Sequence, residues 1–532
     1  MIRSLPALAL LISLGLPAAA VEPAPGAVLA KEQSFRFWLA DAVTSLDPQK
    51  ATAPGSAEII RQLFEGLMNE DASGAMVPGV AASYTLSPDR LTYVFQLRPE
   101  ARWSNGDPVI AQDFVHAWRR LADPETASEN AWRLELMHVA NAAEVLTGKK
   151  KPAELGVAAL DAHRFQVTLS KPTPYFLKTL AHPATYPVHR KAMEAGGDGW
   201  AAPGKLVGNG AYVLKSHALG VSIRLEKNPK YWDAAHVLMA HVEGVTIGDL
   251  ETALRRYLDG GLDRVPVPAG AYTRLLGEHP AEVVATPYAC TYAYLVNMAE
   301  SAPPALHDIR VRRALALALA PDQMVERVLA GGQRPASGWT HWAIQGFQAP
   351  AAEARPLQAR QDEARALLAE AGYGAKMPLK LVLTLNASVE DKAMAEAAVG
   401  FWKAVGVEVS VRDLSWKQYI ERLQSGEFAL ARYAWCADYN DASSFLNLFR
   451  SDGVNYGHYA SADYDRLLAE AETASDPAAS YAEAEAVLGR DQPLIPIYHY
   501  ARAELIRPQI HGLPTGNALD EWWAKDLYRT AP

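Results

Sequence analysis

The chain has 532 residues, of which 49% are hydrophobic and 21% are charged, a balance typical of a globular protein with large cores. Because this length exceeds that of an ordinary domain, two or three domains are expected. Lys and Arg number 51 and Asp and Glu number 60, which gives a net charge of −9 without a basic stripe. This charge argues against nucleic acid as a partner.

The first 20 residues have the pattern of a cleaved signal peptide. Arg3 supplies the positive charge, Leu5 to Leu16 the apolar segment, and Ala18-Ala-Ala20 a small-residue cleavage site. The alternative, an uncleaved N-terminal anchor, is disfavoured because the apolar segment is short for a bilayer. No Cys follows this segment to carry a lipid, and no later apolar stretch is long enough to span a membrane. We therefore expect an exported, periplasmic mature chain without a lipid anchor.

The two cysteines, Cys290 and Cys436, form the single pair available to the chain. An exported protein with one such pair usually oxidises it to a disulfide. Closing a loop of 146 residues would stabilise the fold by about 5 kcal/mol in the chain-entropy model. The alternative is two buried free thiols, and the residues alone leave both states open.

The first half of the chain mixes short strands and helices. A helix capped by Ser56 is predicted to run to about Met68, because apolar residues recur there at helical spacing. Gly208-Asn-Gly-Ala-Tyr212 lacks the Lys and Ser or Thr of a phosphate-binding loop, so it is interpreted as a tight turn. The other elements predicted here are the strands 35–40 and 93–97 and the helix 113–121.

The second half has the alternation of an α/β domain. Leu379 to Leu385 alternates as a strand, a helix follows from Val389 to Val405, and Val407 to Val411 forms the next strand. Such a βαβ unit predicts parallel strands with a right-handed crossover. Further strands are predicted at 292–296, 428–435 and 494–500, with 501–506 leading away from the last one, and further helices at 308–319 and 361–371.

Late strands without nearby partners indicate that the end of the chain returns to an earlier domain. Two lobes joined by more than one crossing segment form a hinge, and the cleft between them is a natural ligand site.

The stretch from Ala431 to Asn440 places two charges in or beside a hydrophobic strand. Arg432 lies inside the strand and Asp438 follows it, although a buried charge without a partner costs several kcal/mol. Their spacing corresponds to about 20 Å on an extended strand, which suits the two ends of an extended zwitterion. The alternative is that both charges pair with ordinary protein groups.

An exported hydrolase is the rival class of protein. The chain has neither a Gly-x-Ser-x-Gly elbow nor a His-Glu-x-x-His metal helix. His458 and His499 lack neighbours at metal-ligand spacing. Asp438 and Asp441 would have to serve as a glycosidase-like carboxylate pair, which is a weak signal because nearby aspartates are common.

Several motifs, taken together and in order, resemble the periplasmic oligopeptide-binding proteins that serve ABC importers. The resemblance covers almost the whole mature chain and includes both cysteines. The motifs are Ser45-Leu-Asp-Pro48, Phe64-Glu-Gly-Leu67, Trp103-Ser-Asn-Gly-Asp-Pro108, Gln112-Asp-Phe114, Asp123-Pro-Glu-Thr-Ala127, Asn209-Gly-Ala-Tyr212, Asn228-Pro-Lys-Tyr-Trp232, Asp308-Ile-Arg-Val-Arg312, Trp435-Cys-Ala-Asp-Tyr-Asn440 and Ser444-Phe-Leu-Asn447.

The resemblance implies an α/β, two-lobed periplasmic binding protein fold with a hinge and an extra domain. After the signal peptide (1–20), lobe I would comprise 21–64, 190–289 and 502–532, domain II 65–189, and lobe III 290–501. It also implies the Cys290–Cys436 disulfide.

Carried over by position, the resemblance implies roles in peptide binding. Asp438 would take the peptide's α-ammonium, while the backbones of Ala434 and Cys436 pair with the peptide as an added strand. Arg432, and more loosely Arg422, would meet the peptide's carboxylate; the alternative for Arg422 is a solvated helix charge. The opposing backbone segment is Thr52, Ala53 and Pro54, and the pocket-lining positions are Trp416 and Tyr500.

Three positions depart from the enteric members of the family. Asp391 replaces a histidine that can meet the carboxylate of one ligand length, Leu136 replaces a pocket tyrosine, and Thr52 replaces a glutamate. These departures leave ligand length and side-chain preference open. A murein peptide is an alternative to a general oligopeptide, because the murein-peptide branch of the family shares the same strand motif. The resemblance implies a monomeric, non-catalytic receptor without a cofactor that delivers peptide to a membrane-embedded importer.

Overall fold

The computed structural model describes residues 10–12, 22–386 and 388–532. Of the predicted signal peptide only Leu10–Ile12 is described, as a strand, and the remainder with its cleavage site lies outside these residues. Among the described helices, none combines the length and the apolar character that crossing a bilayer requires.

The described chain contains both strands and α-helices. The strands are β1 (Leu10–Ile12), β2 (Ser34–Leu39), β3 (Met68–Glu70), β4 (Met76–Pro78), β5 (Ala81–Leu86), β6 (Thr92–Leu97), β7 (Val157–Ala159), β8 (Arg164–Thr168), β9 (Tyr212–Ala218), β10 (Ser222–Lys227), β11 (His241–Thr246), β12 (Arg264–Pro266), β13 (Val283–Val296), β14 (Arg334–Pro335), β15 (Leu379–Asn386), β16 (Val407–Leu414), β17 (Leu430–Cys436), β18 (Leu494–Ile506), β19 (Ile510–His511) and β20 (Tyr528–Arg529). The α-helices are α1 (Pro54–Leu63), α2 (Ala111–Ala122), α3 (Arg133–Leu136), α4 (Ala142–Leu146), α5 (Phe176–Thr179), α6 (Arg190–Gly196), α7 (Leu250–Leu258), α8 (Tyr272–Glu278), α9 (Ile309–Ala318), α10 (Pro321–Met324), α11 (Leu357–Glu370), α12 (Val389–Ala404), α13 (Trp416–Ser425), α14 (Ser443–Leu446), α15 (Ala462–Thr473) and α16 (Ala478–Asp491).

The chain divides into two compact units. Unit 1 comprises the residues up to Pro268 together with Leu275–Val284 and Glu504–Pro532, and unit 2 comprises Ala269–Arg274 and Ala285–Ala503. The three-domain division expected from the resemblance stays a prediction. Within unit 1, the residues of β5 to β8 form an antiparallel sheet in the order β1-β5-β6-β8-β7, separate from the sheet that contains β2.

The sheet that contains β2 buries one face of this strand. Strand alternation puts Phe35, Phe37 and Leu39 in the core, where Trp522 meets Phe37 edge-on with ring centroids 5.0 Å apart. Strand β11 pairs with β2 in parallel and with β10 antiparallel. The C-terminal segment therefore completes a core begun at the N-terminal end of the described chain, as the return of the chain predicted.

Buried Glu65 joins two of the scattered sequence motifs in unit 1. Its carboxylate accepts hydrogen bonds from Tyr231 Oη at 2.5 Å, Trp232 Nε1 at 2.7 Å and Asn69 Nδ2 at 3.1 Å. A buried carboxylate needs such hydrogen bonds to be tolerated. The bonds from Tyr231 and Trp232 therefore hold the segment after α1 against the turn after β10.

The first helix begins earlier and ends earlier than predicted. Ala53 is the N-cap and Pro54 occupies the first turn, where proline is favoured because its missing N–H has no helical partner. Ser56, predicted as the cap, is a buried residue inside the helix. The predicted end at Met68 is also wrong: α1 stops at Leu63, and Met68 begins β3.

Unit 2 contains the predicted βαβ arrangement. β15 and β16 pair in parallel from Leu379↔Val407 to Asn386↔Leu414, and α12 connects them. β15 also pairs with β17, and the sheet continues through β13 to β18. The fully buried side chains of Leu383, Leu385 and Trp402 fill the space between this sheet and α12. The α/β prediction is confirmed.

Two strands are longer than predicted and contribute residues to both units. β13 spans 14 residues, Val283–Val296, and β18 continues to Ile506 instead of ending at Tyr500. The prediction that 501–506 leads away from the strand is therefore wrong. Its charged Glu504 is tolerated in the buried continuation because Arg264 Nε donates to its carboxylate at 2.8 Å.

Candidate functional site

Strand β17 is paired fully on one side and only briefly on the other. It pairs antiparallel with β13 over its whole length, from Cys290↔Cys436 to Val296↔Leu430. On its other side β15 reaches only Leu430 and Ala431. From Arg432 onward, that side of β17 has no strand partner in the described part of the chain.

The main-chain groups of Ala434 and Cys436 point toward this unpaired side. Ala437 N donates to Ala289 O at 2.8 Å and Ala429 O accepts from Asn297 N at 3.0 Å, so the odd-numbered residues of this segment bond toward β13. Because successive residues of an antiparallel strand direct their N–H and C=O groups to opposite sides, the even-numbered residues face away. An edge of this kind is a template for an added strand.

The hydroxyl of Tyr419 marks the same side of the strand. It donates a hydrogen bond to the carbonyl oxygen of Arg432, the first even-numbered residue beyond the pairing with β15. The open edge of β17 therefore begins next to α13, and it presents Ala434 and Cys436 in sequence.

Asp438 follows the strand and belongs to a loop held by its own hydrogen bonds. Its main-chain N–H donates to Ser444 Oγ at 2.9 Å, and its side chain is partly exposed. The neighbouring Asp441 is buried, and its Oδ1 accepts from Ser443 N at 3.0 Å and Ser443 Oγ at 2.7 Å. These bonds make Asp441 a turn-forming residue and fix the loop that carries Asp438.

Arg432 has a protein partner. Its Nε donates to Asp391 Oδ1 at 3.2 Å, and the two side chains are 18% and 9% exposed. The guanidinium carbon lies 5.4 Å from the ring centroid of Tyr292. Burial works to lower the pKa of Arg432, but the Asp391 carboxylate works against it and the pKa is raised. Arg432 therefore pairs with a protein group, as the alternative interpretation stated. Its contact with a ligand carboxylate stays a prediction.

Arg422 lies near the C-terminal end of α13. Its Nη1 donates to Glu427 O at 3.2 Å and to Glu427 Oε2 at 3.4 Å, and its side chain is 35% exposed. This geometry fits a helix-terminal charge, since cations are favourable near helix C-termini. Its contact with a peptide carboxylate stays a prediction.

Trp416 and Tyr500 lie on different elements of unit 2. Trp416 is the first residue of α13 and is 60% exposed, and its ring centroid is 5.8 Å from that of Tyr419. Tyr500 belongs to β18 and lies 4.8 Å from Tyr498, ring centroid to ring centroid.

A pocket of about 460 Å³ lies beside Trp416. It is at the carboxyl ends of the parallel strands β15 and β16, the edge at which open α/β sheets bind ligands. Of the residues that line this pocket, only Trp416 was predicted from the sequence, although the predicted ends of the two strands indicated where the others would lie. The residues that line it are Asn386, Asp413, Leu414, Ser415 and Trp416.

The Cys290–Cys436 disulfide closes the end of the β13–β17 ladder. The two cysteines are direct partners in the register, and their sulfurs are bonded. The alternative of two free thiols is therefore wrong. The cross-link holds the residue that ends β17, immediately before the loop with Asp438.

Thr52, Ala53 and Pro54 belong to unit 1. The preceding loop is anchored because Arg120 Nη1 donates to Asp47 Oδ1 at 2.8 Å and Asn130 Nδ2 donates to Ala51 O at 2.9 Å. Thr52 and Pro54 are exposed, and Ala53 O accepts the first hydrogen bond of α1. Leu136, the position where a pocket tyrosine was expected, lies in α3 of the same unit.

A larger recess, of about 1170 Å³, lies on unit 1 and is not formed by any of the predicted site residues. Its lining contains two ion pairs: Arg224 Nε lies 2.8 Å from Glu243 Oε1, and Lys215 Nζ lies 3.3 Å from Glu226 Oε2. We assign it no function.

Two histidines, His341 and the β18 residue His499, pack against each other. The ring centroids of His341 and His499 are 4.8 Å apart, and both side chains are buried. Burial lowers the pKa of His341 to about 4, with Arg334 acting in the same direction, and lowers that of His499 well below its ordinary range. No cluster of metal-ligating residues occurs among the residues that the structure describes.

These histidines predict a loss of stability in mild acid. The unfolded chain protonates His341 below its ordinary pKa of 6.5, whereas the folded chain keeps it neutral down to about 4, so stability falls as pH decreases through this window. From about pH 7 to about pH 5.5 the wild type should lose about 1 kcal/mol more than His341→Gln. Urea unfolding of both proteins at the two pH values measures this difference, and parallel losses would contradict it.

The chain belongs to the bacterial extracellular solute-binding proteins, family 5, whose family model matches residues 75–457. Within this family it is 39% identical over 537 aligned residues to the periplasmic oligopeptide-binding protein OppA of Escherichia coli, covering 99% of this chain and 98% of that protein. It is 37% identical to the periplasmic murein peptide-binding protein MppA of Escherichia coli, with 96% and 95% of the chains covered.

A solved structure gives the same classification. The unliganded open form of the murein tripeptide-binding protein MppA matches with a TM-score of 0.90 at 37% identity, covering 96% of this chain and 99% of that chain. The predicted fold class, a two-lobed periplasmic binding protein fold, is thereby confirmed. The relatives are solute-binding proteins rather than enzymes.

Proposed function

We propose that the chain is a periplasmic receptor that captures short peptides and delivers them to an ABC importer in the membrane. The observation that carries this proposal is the unpaired side of β17, where Ala434 and Cys436 direct their main-chain groups outward. A peptide that adds to this edge is recognised through atoms that all peptides share.

The ends of the peptide give the binding its direction. Asp438, in the loop after β17, takes the α-ammonium group, since a charge-assisted hydrogen bond is stronger than a neutral one. Trp416 and Tyr500 line side-chain pockets, and the main chain of Thr52, Ala53 and Pro54 is a further candidate contact with the peptide. Arg422 is a weaker candidate for a contact with the peptide, because its guanidinium already donates hydrogen bonds to Glu427.

We propose no catalytic role for the site. A hydrolase built on Asp438 and Asp441 would need both carboxylates at the substrate, whereas Asp441 is buried and accepts two hydrogen bonds from Ser443. The site contains no activated nucleophile among the residues named above.

Native mass spectrometry of the protein purified from the periplasm tests the proposal. We expect a bound peptide with a free amino terminus, recovered intact after denaturation and in stoichiometric amount. Fragmentation of the released ligand distinguishes a general oligopeptide from a murein peptide that contains diaminopimelate, because the residue mass of diaminopimelate differs from that of every standard amino acid. Release of a non-peptide ligand, or turnover of added peptides or glycans, would refute the peptide-receptor proposal.

A further inference from the structure

The pair of Arg432 and Asp391 lies at one end of the proposed peptide path, and the inference below rests on the proposed function. A peptide whose amino end meets Asp438 and whose main chain pairs with Cys436 and Ala434 runs antiparallel to β17. It therefore advances toward Arg432, at the other end of the unpaired edge.

A buried arginine at this position would normally select for a carboxylate. In this chain its charge is already neutralised, since Asp391 Oδ1 lies 3.2 Å from Arg432 Nε and both side chains are largely buried. A ligand carboxylate that approaches the outer nitrogens of Arg432 would also approach Asp391. The repulsion from Asp391 then cancels most of the attraction.

The position of Asp391 is fixed by the start of α12. Ser388 caps the helix, and its Oγ accepts a hydrogen bond from the main-chain N–H of Asp391 at 3.0 Å. Arg432 is also restrained, by the hydrogen bond from Tyr419 to its carbonyl oxygen and by the ring of Tyr292 beside its guanidinium. The two charges are thus held together from two different elements of unit 2.

We propose that Asp391 is a specificity-determining residue that removes the requirement for a free carboxylate at Arg432. The receptor then selects its ligands by their amino end. It takes peptides that continue past Arg432, or whose carboxyl end is blocked, about as well as peptides that end there with a carboxylate.

Matched peptides test this inference by isothermal titration calorimetry on ligand-free protein. Peptides of three to six residues, each with a free amine, are compared as carboxylic acid and as C-terminal amide. We expect the wild-type affinities for acid and amide to agree within about threefold at every length. In Asp391→Asn, Arg432 loses its ion-pair partner, and its charge should raise the preference for the acid about tenfold at the length that reaches Arg432.

A control variant removes a carboxylate from an ion pair elsewhere. Asp362→Asn on α11 breaks the exposed contact with Arg365 and should leave the acid-to-amide ratio unchanged. If wild type prefers any acid over its amide by more than about threefold, the inference is overturned, even if Asp391→Asn fails to fold. An unchanged ratio in folded Asp391→Asn also overturns it. If wild type binds no free-amine peptide at all, the proposed function fails and this inference fails with it.

Discussion

Asp438→Asn is expected to weaken the binding of a free-amine peptide by about a hundredfold, which corresponds to ~3 kcal/mol. The amide keeps the size of the carboxylate and one acceptor oxygen, but it loses the charge that meets the peptide's ammonium group. Because Ser444 holds the main chain at this position, the loop should keep its conformation. Titration calorimetry of ligand-free wild type and variant with the same tripeptide measures the loss.

The N-acetylated form of the same peptide is the matched ligand control. It carries no ammonium group, so wild type and Asp438→Asn should bind it with equal, weak affinity. Asp463→Asn is the matched protein control, since it removes an exposed carboxylate at the start of α15. Equal losses for the free and the acetylated peptide would refute the assignment of the ammonium to Asp438.

The fold class followed from the sequence because its physical cause is local. Apolar residues alternate with other residues in Leu379 to Leu385 and in Val407 to Val411, which is the pattern of a strand, and the helix α12 lies between the two segments. The extension of β18 past Tyr500 could not be predicted in this way. Its polar residues break the apolar pattern, and the partner that makes Glu504 acceptable, Arg264, lies 240 residues away in the chain.

The candidate site was predictable only in part, because some of its contacts join residues that lie far apart in the chain. Charges at positions 432 and 438 stand out because a strand normally excludes them, and the sequence alone raised the alternative that they pair within the protein. The identity of the partner could not be derived, since Asp391 meets Arg432 only when α12 packs on the sheet. The open side of β17 was implied by the family resemblance but could not be derived from the residues alone, because it depends on how far β15 extends beside β17.

Strand register and the side chains around Arg432 have different consequences for function. The contacts with the peptide main chain depend on strand register, which the disulfide and the long ladder with β13 fix together. Ligand preference depends instead on single side chains around Arg432, which one substitution can change. Peptide binding should therefore be more tolerant of sequence change in this chain than the choice among peptides.

Removal of the disulfide is expected to give the largest loss of stability. The double substitution Cys290→Ala and Cys436→Ala opens a loop of 146 residues, and the chain-entropy model predicts a decrease of about 5 kcal/mol in the free energy of unfolding. Urea unfolding of the two proteins, and of wild type with and without reductant, measures the decrease. The remaining β13–β17 pairs should keep the register, so peptide affinity at low temperature should fall much less than stability. Unchanged unfolding midpoints would contradict a stabilising role, whereas loss of binding in a folded variant would show that the register itself depends on the cross-link.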